Sequence, residues 1–67
     1  MTVTWKDEDE LDGESIGPCF AYENDDEVNK PRRMGRPLPA SIQDKGWMSR
    51  KEAQRLAEIL NATFQEY

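Results

Sequence analysis

Six carboxylates within eight positions, Asp7, Glu8, Asp9, Glu10, Asp12 and Glu14, form the densest set of chemically capable side chains in this 67-residue chain. Carboxylates in such a set can transfer protons, hold a divalent cation or display negative charge. Proton transfer needs a carboxyl whose pKa is moved by its surroundings, usually by burial. The stretch DEDELDGE has too little apolar sequence to bury one. The chain has no histidine to act as a base and no glycine-rich phosphate cradle. A non-enzymatic protein is expected, without a cofactor. For cation binding, Glu8, Glu10, Asp12 and Gly13 align with positions 1, 3, 5 and 6 of a calcium-binding helix–loop–helix pattern. The position that should carry a bidentate glutamate is then Cys19, which cannot do that job. Display of charge is what remains.

Cys19 is the single cysteine, so no internal disulfide can form, and without histidine no His/Cys zinc site can be built. It reads as a small apolar filler in a reducing compartment.

The second conspicuous stretch is PRRMGRPLP, residues 31–39. Met34-Gly35-Arg36-Pro37 resembles the Arg-Gly-Arg-Pro core of an AT-hook, whose two arginines flank a glycine lying deep in the minor groove. Met34 stands where the first arginine belongs, and the nearest base, Arg33, is one place early. Arg36-Pro37-Leu38-Pro39 also resembles the start of a ligand for polyproline-reading domains, but the second proline pair is missing. The plain reading is a stiff basic connector whose arginines answer the acids upstream.

The charge divides along the chain. Residues 1–29 hold ten acids and one base, Lys6, giving −9; residues 30–67 hold eight bases and four acids, giving +4; together they make the net −5. Such a chain can fold one part against the other or offer each to a different partner. Leu, Ile, Val and Phe number only 11, and so small a core rarely supplies more than about 3–5 kcal/mol. Assembly with a partner or a second copy is the expected supplement. No apolar run approaches a membrane-spanning length and no signal-peptide pattern opens the chain, so a cytoplasmic location is expected, that of the host if a phage encodes it.

The elements that must position these groups are few. Residues 2–5 alternate like a short strand, with Val3 and Trp5 on one face. Residues 6–15 read as an exposed acidic loop. A strand is expected over residues 19–23, starting after Pro18 or else lying at a sheet edge, because proline cannot donate to a ladder. Residues 24–46 lack periodicity and read as an irregular middle, functional or disordered until bound. Ser49 with Glu52 is a capping box opening a helix over about 50–61. Ala53, Leu56, Ala57 and Leu60 form its apolar stripe, with Ile59 toward the edge. Residues 63–67 alternate like a terminal strand. The expected fold is α+β: one domain, a small antiparallel sheet of residues 2–5, 19–23 and 63–67, covered by one C-terminal helix.

The expected function is a small protein-binding inhibitor or adaptor of the kind phages and mobile elements encode. Its acidic N-terminal segment would imitate nucleic acid and engage a basic groove on a larger protein. Asp7, Glu8, Asp9, Glu10, Asp12, Glu14, Asp25 and Asp26 would supply charge, with Trp5 and Trp47 as anchors. An alternative is a structural or accessory subunit of a larger assembly such as a virion. A second is a weak DNA-associated factor using Arg32, Arg33 and Arg36. A homo-oligomer is compatible with each; direct nucleic-acid contact is not the leading expectation, and no membrane or metal is expected to take part.

Overall fold

The computed structural model describes residues 1–30, 35 and 37–67. Its elements are β1 (Thr2–Trp5), β2 (Asp9–Leu11), β3 (Glu14–Tyr22), a 3₁₀ turn (Asp25–Glu27), β4 (Ile42–Ser49), α1 (Arg50–Ile59) and β5 (Thr63–Glu66). The fold is α+β, built on one five-stranded sheet.

The alternation in Thr2-Val3-Thr4-Trp5 suits a pleated strand, and all four residues are buried because β1 is central. It pairs antiparallel with β3 (Val3↔Ala21, Trp5↔Cys19) and, on its other edge, parallel with β5 (Val3↔Phe64). The sheet is therefore mixed, which corrects the expectation of a purely antiparallel one. The reason lies in β4, which pairs antiparallel with β3 and so runs parallel to β1. Helix α1 then carries the chain back, and β5 sets out in the same direction, as a β–α–β connection requires.

Three further expectations change. Residues 6–15 are not a loop: β2 and the start of β3 form a hairpin with Asp9↔Ile16 and Leu11↔Glu14 paired. Asp12 (φ 52°) and Gly13 (φ 83°) make its two-residue turn, and two left-handed residues suit the twist of the flanking strands. The second strand does not begin after Pro18 but runs through it. Lys6 N–H donates to the Pro18 carbonyl (3.2 Å), and a strand residue's N and C=O lie on the same edge. The missing proline N–H thus faces Lys6, where the ladder is already broken. From Trp5 to Asp9 is four steps, but from Cys19 to Ile16 only three, so one extra residue bulges out there. Finally, the irregular middle stops short of 46, because Ile42 opens β4. A bulge at Lys45 bends β4 between Cys19↔Gly46 and Phe20↔Asp44; Gly46 takes φ +82° and its N–H donates to Asp44 Oδ1 (2.8 Å).

The helix forms as its sequence predicts. Ser49 Oγ accepts from Glu52 N–H (3.2 Å), and Ala53 and Ala57 are buried in one cluster with Val3, Trp5, Cys19 and Ala21. The small stripe lets the helix backbone come close to the Trp5 ring. Leu56 and Leu60 close the sides of the same cluster. After Leu60 the chain turns through Asn61 (φ 53°); Asn61 N–H donates to the Glu58 carbonyl and Ala62 N–H to Ala57 (3.1 and 2.8 Å), a Schellman end. The helix is followed by β5 and is not the end of the fold. On the sheet's other face a second, smaller cluster joins Tyr22, Val28 and Ile42.

The 3₁₀ turn is tied to β1. Asp25 Oδ1 lies 2.9 Å from the amino terminus and accepts from Thr2 Oγ1 at 2.8 Å. These contacts, the amino terminus first, hold the Asp25 carboxyl below its ordinary value of 3.8. A depressed carboxyl favours the fold where it is ionised and loses that effect as pH falls through its native value. Asp25→Asn keeps an acceptor for Thr2 but loses the ion pair. It is expected to lower stability above about pH 4, with the gap closing below that. Urea titrations at pH 7 and pH 2 check this; equal gaps at both would contradict it.

Candidate functional site

Strand alternation sorts the side chains onto two faces. One face carries Val3, Trp5, Cys19 and Ala21 and is closed by α1. Cys19 is fully buried there, and burial, with a smaller contribution from Asp44 against that of Lys45, pushes its thiol above the ordinary value. It is a neutral filler, since the thiolate is the reactive form. Trp5, expected as an anchor, is 1% exposed and its indole N–H donates to the Met48 carbonyl (2.8 Å). It is a core residue, and its position on the central strand leaves it no surface to offer.

The opposite face carries the residues that register with Ile16, Pro18, Phe20 and Tyr22. Thr4 lies beside Phe20, Thr2 beside Tyr22, and Trp47 stands opposite Pro18 on β4. Trp47 is 57% exposed, so of the two tryptophans it alone is placed as a surface anchor. Following the same parity outward, Asp9, Leu11, Glu14 and Ile16 share this face, while Glu10 and Ser15 point the other way. Leu11, at 60% exposure, sits beside the turn.

The six acids at 7–14 are all exposed. Three sit in paired strand, Asp9, Glu10 and Glu14; Asp12 is in the turn. Among the described residues the single ion pair of this arm is Lys6 Nζ to Glu8 Oε1 (2.9 Å). The Glu10 N–H also donates to Asp9 Oδ1 (2.8 Å). Alternating sides keep the carboxylates apart, and among the described residues no three His, Cys, Asp or Glu groups converge to hold a metal ion.

Asp25 and Asp26 do not join this arm. They follow Tyr22, at the far end of β3 from Glu14, about 25 Å away at the strand rise of about 3.3 Å per residue. Asp25 is engaged with the amino terminus and Thr2. Between the two ends, a hollow of about 300 Å³ is lined by Phe20, Tyr22 and Tyr67, with Lys6 and Lys30 at its rim. Both lysines are already paired, Lys6 with Glu8 and Lys30 with Glu27 (3.0 Å), so the hollow adds no uncommitted cation. Arg32, Arg33 and Arg36 lie outside the described residues.

No protein-family model, curated protein or solved structure matches this chain. Its geometry therefore carries the functional reading alone. Among the described residues, no helix is long and apolar enough to cross a membrane.

Sequence reasoning located the charge but missed that it is mounted on a paired ribbon, and missed Leu11 and Ile16 beside it. The available signal was Asp12-Gly13 between Glu10-Leu11 and Glu14-Ser15-Ile16, a short-hairpin dipeptide flanked by alternating residues.

Proposed function

We propose that this protein is a small non-enzymatic binding module, of the inhibitor or adaptor type that phages and mobile elements encode. Its acidic hairpin docks on a basic, nucleic-acid-binding surface of a larger protein. The observation that carries the reading is the projecting ribbon of residues 7–14. An extended chain rises about 3.4 Å per residue, and five of the six residues from Asp7 to Asp12 are acids. In the extended part, Asp9 and Glu10 follow one another at the spacing of neighbouring phosphates on one strand of a duplex, one charge per about 3.4 Å, with Asp7, Glu8 and Asp12 flanking them. Backbone pairing fixes this array before binding, so little ordering entropy is lost on association. Trp47, on the face shared by Asp9 and Glu14, supplies the aromatic anchor that charge alone lacks.

The test is capture from the lysate of the cells that make the protein. The native chain is compared with a variant carrying amides at Asp7, Glu8, Asp9, Glu10, Asp12 and Glu14. Native protein is expected to retain a nucleic-acid-binding protein at about 50 mM salt and release most of it at about 500 mM. The six-amide variant is expected to retain at least tenfold less while melting no lower, because like charges across a hairpin repel. Retention that ignores both salt and the six amides would favour the structural-subunit alternative. Direct retention of nucleic acid, lost with Arg32, Arg33 and Arg36, would favour the DNA-associated one.

A further inference from the structure

Helix α1 has an outer side, from Lys51 and Glu58 round to Ile59, that faces away from the core. An open groove of about 680 Å³ runs along it, lined by Lys51, Glu52, Arg55, Glu58 and Ile59 and closed at the core edge by the partly buried Met48 and Leu56. Among the described residues Ile59, at 70%, is the most exposed of the large apolar side chains. Two of the charges beside it run against their own helix, Lys51 in the first turn and Glu58 in the last, while Glu52 suits the first turn and no basic residue occupies the last. A helix favours the reverse order, anions at its N-terminus and cations at its C-terminus.

We propose that this groove is a self-association surface, filled by the same groove of a second copy across a two-fold axis with the two helices antiparallel. The order of side chains is self-complementary in that arrangement. With the axis beside Gln54, Lys51 faces Glu58 of the second copy, Glu52 faces Arg55, and Met48 faces Ile59. Each charge then meets its opposite, and each misplaced charge sits near the helix end of the other copy that favours it. The exposed Ile59, and the part of Met48 that the core leaves open, are covered in the same step. A two-fold contact uses one patch on both copies, which is how most homodimers are built. A ten-residue helix is about 15 Å long, so the contact is smaller than a standard interface and dimerisation depends on concentration. The acidic hairpins lie outside this contact, and the dimer would present two of them, raising avidity toward a partner with two sites.

Sedimentation equilibrium from about 10 to about 500 µM tests the proposal. The native protein is expected to move from monomer to dimer over this range. Ile59→Glu is expected to remain monomeric with an unchanged circular dichroism spectrum, since Ile59 is not part of the core. Lys51→Glu and Glu58→Lys are each expected to weaken dimerisation at least tenfold, because each sets like charges against one another twice. Mixed together they are expected to restore it, because both contacts in the mixed dimer join opposite charges. A native protein that is monomeric throughout, a dimer unaffected by Ile59→Glu, or no recovery on mixing would overturn the proposal.

Discussion

Replacing Trp5 with alanine is expected to leave the chain unfolded at room temperature. Trp5 sits on the central strand, is 1% exposed, and packs between the sheet and the two alanines of α1. A buried tryptophan removes about 200 Å² from water, and at about 25 cal/mol/Å² that amounts to about 5 kcal/mol. Measured losses for Trp→Ala in cores are about 3–5 kcal/mol. A domain of this length has roughly 3–10 kcal/mol of stability in total, and this one draws on few large apolar residues. Ala53 and Ala57 cannot extend into the cavity, so relaxation recovers little. Trp5→Phe is a gentler probe. It keeps most of the ring but leaves the Met48 carbonyl without the indole N–H, for about 1–3 kcal/mol. Near-ultraviolet circular dichroism and urea titration measure both. A cooperative Trp5→Ala transition within about 1 kcal/mol of native would mean that the α1–sheet contact is not the centre of this core.

The second large effect is expected at Gly17, where alanine should cost about 3 kcal/mol or more. A Cβ at residue 17 would lie 1.5 Å from the Lys6 carbonyl oxygen and 2.7 Å from its carbon. Neither is a flexible side-chain end; both are backbone fixed by the bulge. The bulge exists because Pro18 offers no N–H to Lys6, so the Lys6 carbonyl turns aside and comes to rest over the one residue without a side chain. Relieving the clash requires moving the segment that joins β1 to the acidic hairpin. Gly17→Ala should therefore lower the denaturation midpoint and also weaken hydrogen-exchange protection at Glu8, whose N–H now donates to the Ile16 carbonyl (3.1 Å). Native stability in Gly17→Ala would contradict the bulge. By contrast Gly13 has open space around its missing side chain, and substitution there is resisted by its φ of +83° alone.

The contrast between α1 and the acidic hairpin explains what could be read in the sequence. The helix carries all its signals locally: a cap at Ser49, a stripe at 53, 56, 57 and 60, and an Asn61 stop. Strand β1 was legible for the same reason. The hairpin was not, because its polar residues bury nothing and its stability comes from pairing with β3, a contact that composition does not encode. Pro18 was misread because a proline forbids a donor on only one edge, and which edge matters depends on the partner strand. Strand β4 was hidden by its bulge at Lys45–Gly46, which breaks the alternation from Ile42 to Ser49. The parallel pairing of β5 with β1 follows from the path of the helix and not from either strand's residues. Of the candidate site, the six acids of the arm and Trp47 were legible as residues; their mounting on one ribbon and one face was not. Trp5 and Trp47 are separated by the face each takes, Trp5 beside Cys19 under α1 and Trp47 beside Pro18 on the open face, and by β1 being central while β4 pairs on one side.

Taken together, the fold separates two tasks. The α1 face holds the molecule together through Trp5 and two alanines, and the opposite end projects charge on a braced ribbon that needs no core of its own. The bulge at Lys6–Glu8 joins them, which is why Gly17, though chemically inert, is expected to govern the position of the acidic arm.

The most direct test of the central claim is a competition on the captured partner. A labelled nucleic-acid duplex is bound to that partner, and the native protein is titrated in while fluorescence anisotropy follows the duplex. The account predicts full displacement, with an apparent Kd for the protein that rises in proportion to the duplex present, and at least a tenfold weaker effect from the six-amide variant. A partner that holds duplex and protein at the same time, with neither affinity changed, would show that the acidic ribbon does not occupy a nucleic-acid site and would contradict the account.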